Sequence, residues 1–281
     1  MKALVRMLAY VSLLAAGLLH FRIHSLWTVA LWFVKLIAES LAPLIAVVGA
    51  AAALLGLLRR DRRALTAGGM GAAVAWSYVR SVTAPHDGLL RAFGLGWEAR
   101  ISPQQQSHML RRRWNWRMSD PPQPPRWTRD VVFWTLPDSG RKLLCDIWQP
   151  PFDVKSSGLA LVYFHGSGWH YGDKDMGTRH FFAHLAAQGH VIMDVAYRLC
   201  PETDLDGMMG DARRALAWMK QNAHHYGVNP ARVVIAGGSA GAHIALLAAY
   251  TPERAALDAP DIGSADTSVC AVVAYYPPAD L

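Results

Sequence analysis

The sequence predicts an α/β fold built on a largely parallel sheet, preceded by an α-helical transmembrane region. Three observations predict it. Charge divides the chain, because residues 1–90 hold 9 Lys/Arg and 3 Asp/Glu, residues 91–129 hold 8 and 2, and residues 130–281 hold 11 and 16. The net charges of the three stretches are therefore +6, +6 and −5. Residues 40–58 contain no charged side chain in 19 positions. After residue 130, short β-rich runs alternate with longer runs of helical period, the pattern of strands joined by crossover helices.

Composition narrows the class further. With 52% hydrophobic and 17% charged residues, most of the chain has the means to bury a core, and it is neither disordered nor collagen-like. The formal charge of +7 lies entirely in the apolar N-terminal region and an Arg-rich connector, which argues against a nucleic-acid-binding domain and for a basic flank beside a membrane. Cys145, Cys200 and Cys270 are far apart with no CxxC spacing, so neither a structural zinc site nor a disulfide framework is expected. No metal and no cofactor is implied.

Residues 1–83 read as a membrane region with two or three transmembrane helices. As a helix, the run at 40–58 spans about 28 Å and matches a bilayer core. Residues 7–21 and 64–79 are shorter uncharged runs, extendable past Arg6 or Arg80 by snorkelling. Residues 24–34 are apolar and Trp-rich, but Lys35 and Glu39 follow at i,i+4 spacing, so this piece either lies at the interface or lengthens the second span. A cleaved signal peptide is the competing reading of 7–21, opposed by the lack of a polar segment after Ala15-Ala16-Gly17. Localisation is expected to be multi-pass. The side of the C-terminal region stays open: three spans with Lys2 and Arg6 inside also place Arg59–Arg63 inside and the C-terminal region outside, whereas Arg91, Arg100 and Arg111-Arg112-Arg113 favour two spans that return it to the cytoplasm.

Residues 84–129 read as an Arg- and Pro-rich connector with Gln104-Gln105-Gln106 and the stiff Asp120-Pro121-Pro122-Gln123-Pro124-Pro125. Residues 130–281 form the α/β domain. Its strands are expected at 130–135, 142–149, 159–165, 190–197, 232–237 and 269–275, and its helices at 177–188, 207–226 and 240–250.

The fifth strand meets its helix at Gly237-Gly238-Ser239-Ala240-Gly241, a GxSxG in strand-to-helix context. Small neighbours suit a sharp turn that strains the serine, raises its hydroxyl above the sheet and sets a helix N-terminus behind it. GxGxxG and GKT/GKS are absent, which removes the dinucleotide and phosphate readings. Upstream by 74 residues, the third strand ends in His165-Gly166-Ser167-Gly168-Trp169. A small-residue loop there can aim free backbone N–H groups at one point, as an oxyanion hole requires.

His165 to Gly168, Tyr197-Arg198-Leu199-Cys200-Pro201-Glu202, Asp211 and the Gly237–Gly241 elbow together resemble the hormone-sensitive-lipase-like and carboxylesterase branch of the α/β-hydrolases. The resemblance covers residues 130–281. It implies an α/β-hydrolase fold, Ser239 as nucleophile, and oxyanion donors from Ser167, Gly168 and Ala240. His165, Gly166, Gly237 and Gly241 become structural members of the motif, and the Tyr197–Glu202 stretch with Asp211 becomes scaffold. The family loop usually reads HGGG and the elbow GDSAGG; here Ser167 replaces a glycine, Gly238 replaces the acid, and Ala242 follows.

The family order places an acid and then a histidine after the serine. His243 is the sole histidine beyond Ser239, and its place one turn along the same helix marks it as core or surface. Asp258, Asp261 and Asp266 precede the sixth strand and Asp280 directly follows it, one strand too early for a triad acid. Of the upstream histidines, His165, His170, His180 and His184, the first is normally structural. The sixth strand would be left as an apolar edge. The expectation is therefore an α/β-hydrolase fold incomplete at its C-terminus, with catalytic acid and histidine outside the 281 residues. The expected function is a membrane-anchored serine carboxylic ester hydrolase acting on a small-molecule or lipid ester, with no nucleic acid partner; oligomeric state is not readable. The alternative is an inactive α/β-hydrolase-like membrane interaction protein.

Overall fold

Small residues inside and large apolar ones outside characterise the helices that open the chain in the computed structural model, which describes residues 2–22, 29–85, 87–103, 106, 123–251 and 259–278. These are α1 (Lys2–His20), α2 (Val29–Ser40), α3 (Ala42–Leu58), α4 (Arg62–Thr83) and the short α5 (Gly88–Phe93). Arg111, Arg112, Arg113, Gln104, Gln105, Asp120, Asp258 and Asp280 from the sequence reading lie outside the described residues. The chain divides into two compact units, one carrying the helices up to residue 103 and the other carrying everything described from residue 123 on.

In the helical unit, Asp61 caps α4 by accepting from the Ala64 N–H at 3.3 Å, and its other carboxylate oxygen takes Arg6 Nε of α1 at 2.7 Å. Glycine lets the backbones meet. A Cβ on Gly49 of α3 would fall 2.9 Å from Gly68 O of α4, and one on Gly71 of α4 would fall 2.7 Å from Ser12 Oγ of α1. Most other buried seam positions are alanine, Ala9, Ala16, Ala42, Ala52, Ala64, Ala67 and Ala75, joined by Val5, Leu19 and Val79, while Leu14, Phe33, Leu58 and Trp76 are exposed.

The expectation of a multi-pass region with two or three spans is not supported: among the described residues α4, which holds the expected run at 64–79, is not among the candidate spans. Among the described residues, α1 is the helix long and apolar enough to cross a membrane by length and composition; α2 and α3 reach that standard together, as a pair bent by 73°. The 19-residue run at 40–58 shortens to a helix of 17, because the chain turns at Leu41 ahead of a proline in the first helical turn. Residues 29–40 form a separate helix, closed by the expected Lys35–Glu39 pair at 2.7 Å. The four residues Leu89, Leu90, Arg91 and Phe93 also belong to a helix, α5, inside the expected connector; its Arg91–Asp87 pair at 2.7 Å spans one turn.

Side-chain alternation builds the second unit. Its elements are β1 (Arg126–Thr135), β2 (Lys142–Gln149), β3 (Ala160–Phe164), α6 (Arg179–Ala187), β4 (Val191–Ala196), α7 (Leu205–Gln221), β5 (Val233–Gly238), α8 (Ala240–Tyr250) and β6 (Ala271–Tyr275). They make one sheet of order β1-β2-β4-β3-β5-β6. Val162, Phe164, Met193, Val195, Val233 and Ile235 face α7 and α8, meeting Met208, Leu216 and Ile244. The intervening Leu161, Tyr163, Ile192, Val234 and Ala236 point the other way, onto Phe182 and Ala186 of α6. A sheet covered on both faces needs such strands apolar throughout.

The sheet is largely parallel, as expected, with an antiparallel start. β4, β3, β5 and β6 are parallel, but β1 pairs antiparallel with β2 and β2 antiparallel with β4. The turn closing β1 onto β2, with Leu136 N–H on Arg141 O and Gly140 in the left-handed region, is too short for a crossover helix and enforces the antiparallel start. Among the described strands, β6 is an edge.

Candidate active site

From β3 the chain passes to β4 on one side, and later to β5 on the other. The loops leaving the carboxyl ends of β3 and β5 therefore diverge around a topological switch point, the place where open α/β sheets hold their ligands.

Ser239 is the turn between β5 and α8. Its φ of 50° and ψ of −117° lie in a region that side-chain-bearing residues rarely enter. It stays there because both sides of the turn are fixed: Ser239 N–H donates to Tyr275 O of β6 at 2.9 Å, and Ser239 O accepts from His243 N–H at 3.0 Å in the first turn of α8. The neighbours must be small. A Cβ on Gly237 would overlap the Gly241 backbone, and one on Gly241 would overlap the carbonyls of Phe164 and His165. Here the glycines permit close approach, since the first turn of α8 sits directly on the end of β3.

The loop after β3 meets this elbow. A Cβ on Gly166 would lie 2.9 Å from Gly238 O and 3.2 Å from Ser239 Cβ. Beyond it, Ser167, Gly168 and Trp169 take φ of 97°, 64° and 63°. Among the described residues, no backbone carbonyl accepts from the Ser167 or Gly168 N–H. Ala240 is the first residue of α8, so its N–H lies ahead of the intrahelical ladder. The Ser167 hydroxyl donates to Met176 Sδ at 3.1 Å.

His165 is held as scaffold. It is 2% exposed, stacks on Tyr197 at 4.6 Å, and its Nδ1 donates to Gly166 O at 2.8 Å, while Tyr197 donates from its hydroxyl to His165 O at 2.9 Å. Burial pushes its imidazole below the ordinary histidine range. Asp211 is fully buried and accepts from the backbone N–H of Arg198 at 3.0 Å, from that arginine's guanidinium at 2.9 and 2.8 Å, and from Arg214 at 2.9 Å. The Tyr197–Glu202 stretch is thus pinned to α7 beside the loop.

The remaining candidates are placed elsewhere. His243 packs edge-on against Trp169 at 5.6 Å, and burial lowers its pKa. Arg214 and Trp134 hold Asp261, and the Lys220 ammonium with Ser268 brings Asp266 down to about 2. Among the described residues, none is hydrogen-bonded to the Ser239 hydroxyl, and no group of three His, Cys, Asp or Glu side chains is arranged to hold a metal. Sequence reasoning missed Asp146, Asp194 and Lys174, a buried charged cluster at the far end of the same loop. Two aspartates inside otherwise apolar strands were the available signal.

A mixed sheet with helices on both faces and a strained serine between strand and helix fits the α/β-hydrolase fold. Residues 145–281 match the family described as BD-FAE. Among curated proteins, the chain is 37% identical over 139 residues to "Probable carboxylic ester hydrolase LipM" of Mycobacterium tuberculosis, covering 49% of this chain and 32% of that one. It is 31% identical over 215 residues to "Esterase LipQ" of the same organism, covering 74% and 50%. Among solved structures, the apo form of Thermogutta terrifontis esterase 2 aligns with a TM-score of 0.48 at 27% identity, covering 57% of each chain. The chain spans between about a third and a half of the length of these two curated relatives.

Proposed function

We propose that the chain belongs to a membrane-anchored carboxylic ester hydrolase in which Ser239 is the nucleophile and the N–H groups of Ser167, Gly168 and Ala240 receive the charge that develops on the ester oxygen. The conformation of Ser239 carries this reading: strain at one serine, enforced by glycines on both sides and seated against Gly166, has a use in catalysis and no use in packing. The esterase relatives support the substrate class, a small-molecule or lipid carboxylic ester. The serine hydroxyl oxygen attacks the carbonyl carbon and gives up its proton to a base; the ester alcohol leaves, and water releases the acyl group. None of the described residues is assigned as that base; His165 stacks on Tyr197 and His243 packs edge-on against Trp169.

The inside-out packing of α1, α3 and α4 supports the anchor, because small residues mediate helix contacts and large apolar ones face outward, as lipid favours. The second reading is an inactive α/β-hydrolase-like membrane interaction protein, which would keep the fold without its chemistry. Ester turnover decides. Expressed from its full reading frame, the protein should hydrolyse a p-nitrophenyl ester, and Ser239→Ala should abolish that hydrolysis; hydrolysis that survives the substitution would remove Ser239 from the role.

A further inference from the structure

Asp146 of β2 and Asp194 of β4 stand directly opposite each other in the antiparallel pair, with exposures of 0% and 1%. Two carboxylates facing one another inside a sheet oppose folding unless other groups compensate them. The compensation comes from a loop and an edge. Asp146 accepts from Lys174 Nζ at 3.1 Å, Trp127 Nε1 at 3.1 Å and the Asp130 N–H at 3.0 Å; Lys174 Nζ also reaches the Asp130 carboxylate at 2.7 Å. Asp194 accepts from the Asp175 N–H at 2.6 Å, and its second oxygen is buried with no partner among the described residues.

Lys174 and Asp175 lie on the segment that leaves β3 through His165-Gly166-Ser167-Gly168 and ends at α6. Its near end is fastened by the Tyr197 hydroxyl on His165 O and by the Cys200 N–H on Trp169 O at 2.9 Å. The far end has the two aspartates, and the Lys174 side chain is only 8% exposed there.

We propose that Asp146 and Asp194 are positioning residues for the oxyanion loop, holding it through the Lys174 ammonium and the Asp175 N–H so that the Ser167 and Gly168 amides stay aimed beside Ser239. This rests on the assignment of those amides and of Ser239 under the proposed function. A surface pair would do little for position. Lys174, 8% exposed, is different because one of its two carboxylate partners, Asp146, is fully buried inside the sheet and fixes the ammonium, and displacement of reacting groups by about 1 Å costs on the order of 10² in rate.

The test uses the detergent-solubilised protein expressed from its full reading frame, with p-nitrophenyl acetate turnover and thermal unfolding measured for each variant. Lys174→Met and Asp194→Val should each lower kcat roughly tenfold or more with KM within about twofold, in proteins that still unfold cooperatively. Asp194→Asn keeps an acceptor for the Asp175 N–H and should recover most of kcat relative to Asp194→Val. Should Lys174→Met not fold, Lys174→Gln, which removes the charge and keeps a polar tip, is read in the same way. Wild-type kcat in folded Lys174 and Asp194→Val variants, or an effect confined to KM, overturns the proposal. Turnover that persists in Ser239→Ala overturns the underlying assignment instead, so the two failures are told apart.

Discussion

At Ser239 the backbone holds a conformation suited to glycine, and the strain this stores is about 1–3 kcal/mol. Ser239→Gly should therefore raise the unfolding temperature, whereas Ser239→Ala, which keeps a Cβ, should leave it close to wild type; differential scanning calorimetry separates the two. Ser167, with φ of 97°, makes the same comparison available in the loop, where Ser167→Gly should keep the amide and most of the activity. Asp194 supplies a pH signature. Burial pushes its carboxyl up to about 7 against the pull of the Asp175 N–H, with the Asp146 and Asp175 charges adding to the rise. The Lys174 ammonium carries the opposing positive charge, and Tyr163 of β3 stands beside Asp194 in the parallel pair. An acid whose folded pKa is raised binds its proton more tightly in the folded state, so stability falls as pH rises from the ordinary carboxylate range to about 7. Asp194→Asn lacks that loss. Its unfolding temperature, relative to wild type, should rise between pH 4 and pH 7.5 and then level.

At the level of elements, the strands of the α/β unit were legible because period-2 alternation and apolar runs are local properties of β3, β4 and β5. The elbow was legible for the same reason, since Val233–Gly238 and Ala240–Tyr250 flank the GxSxG on either side. What was not legible depends on partners distant in sequence. Nothing near Asp146 announces Lys174, and nothing in residues 130–149 marks the pair as antiparallel except the shortness of their turn. The helix α5 was hidden because its apolar residues are exposed, leaving no buried face to impose a period. The junction of α8 with β3 gives a direct check on packing. Gly241→Ala would drive a methyl group into the carbonyls of Phe164 and His165, and should destabilise the fold by about 1–3 kcal/mol, read from denaturant unfolding.

For the molecule as a whole, the helical unit carries its large apolar side chains outward, which suits a lipid surround better than water. Membranes carrying the protein should retain it through alkaline carbonate extraction, and its release into the soluble fraction would contradict the anchor. The α/β unit presents a serine that resembles the nucleophile of esterases, in a chain whose relatives of that description extend well beyond the matched region. The most direct test of that claim is mass spectrometry of the protein after treatment with a fluorophosphonate probe. The account predicts a covalent adduct on Ser239, lost in Ser239→Ala and kept in Ser167→Gly; an adduct on Ser167, or undiminished labelling of Ser239→Ala, would contradict it.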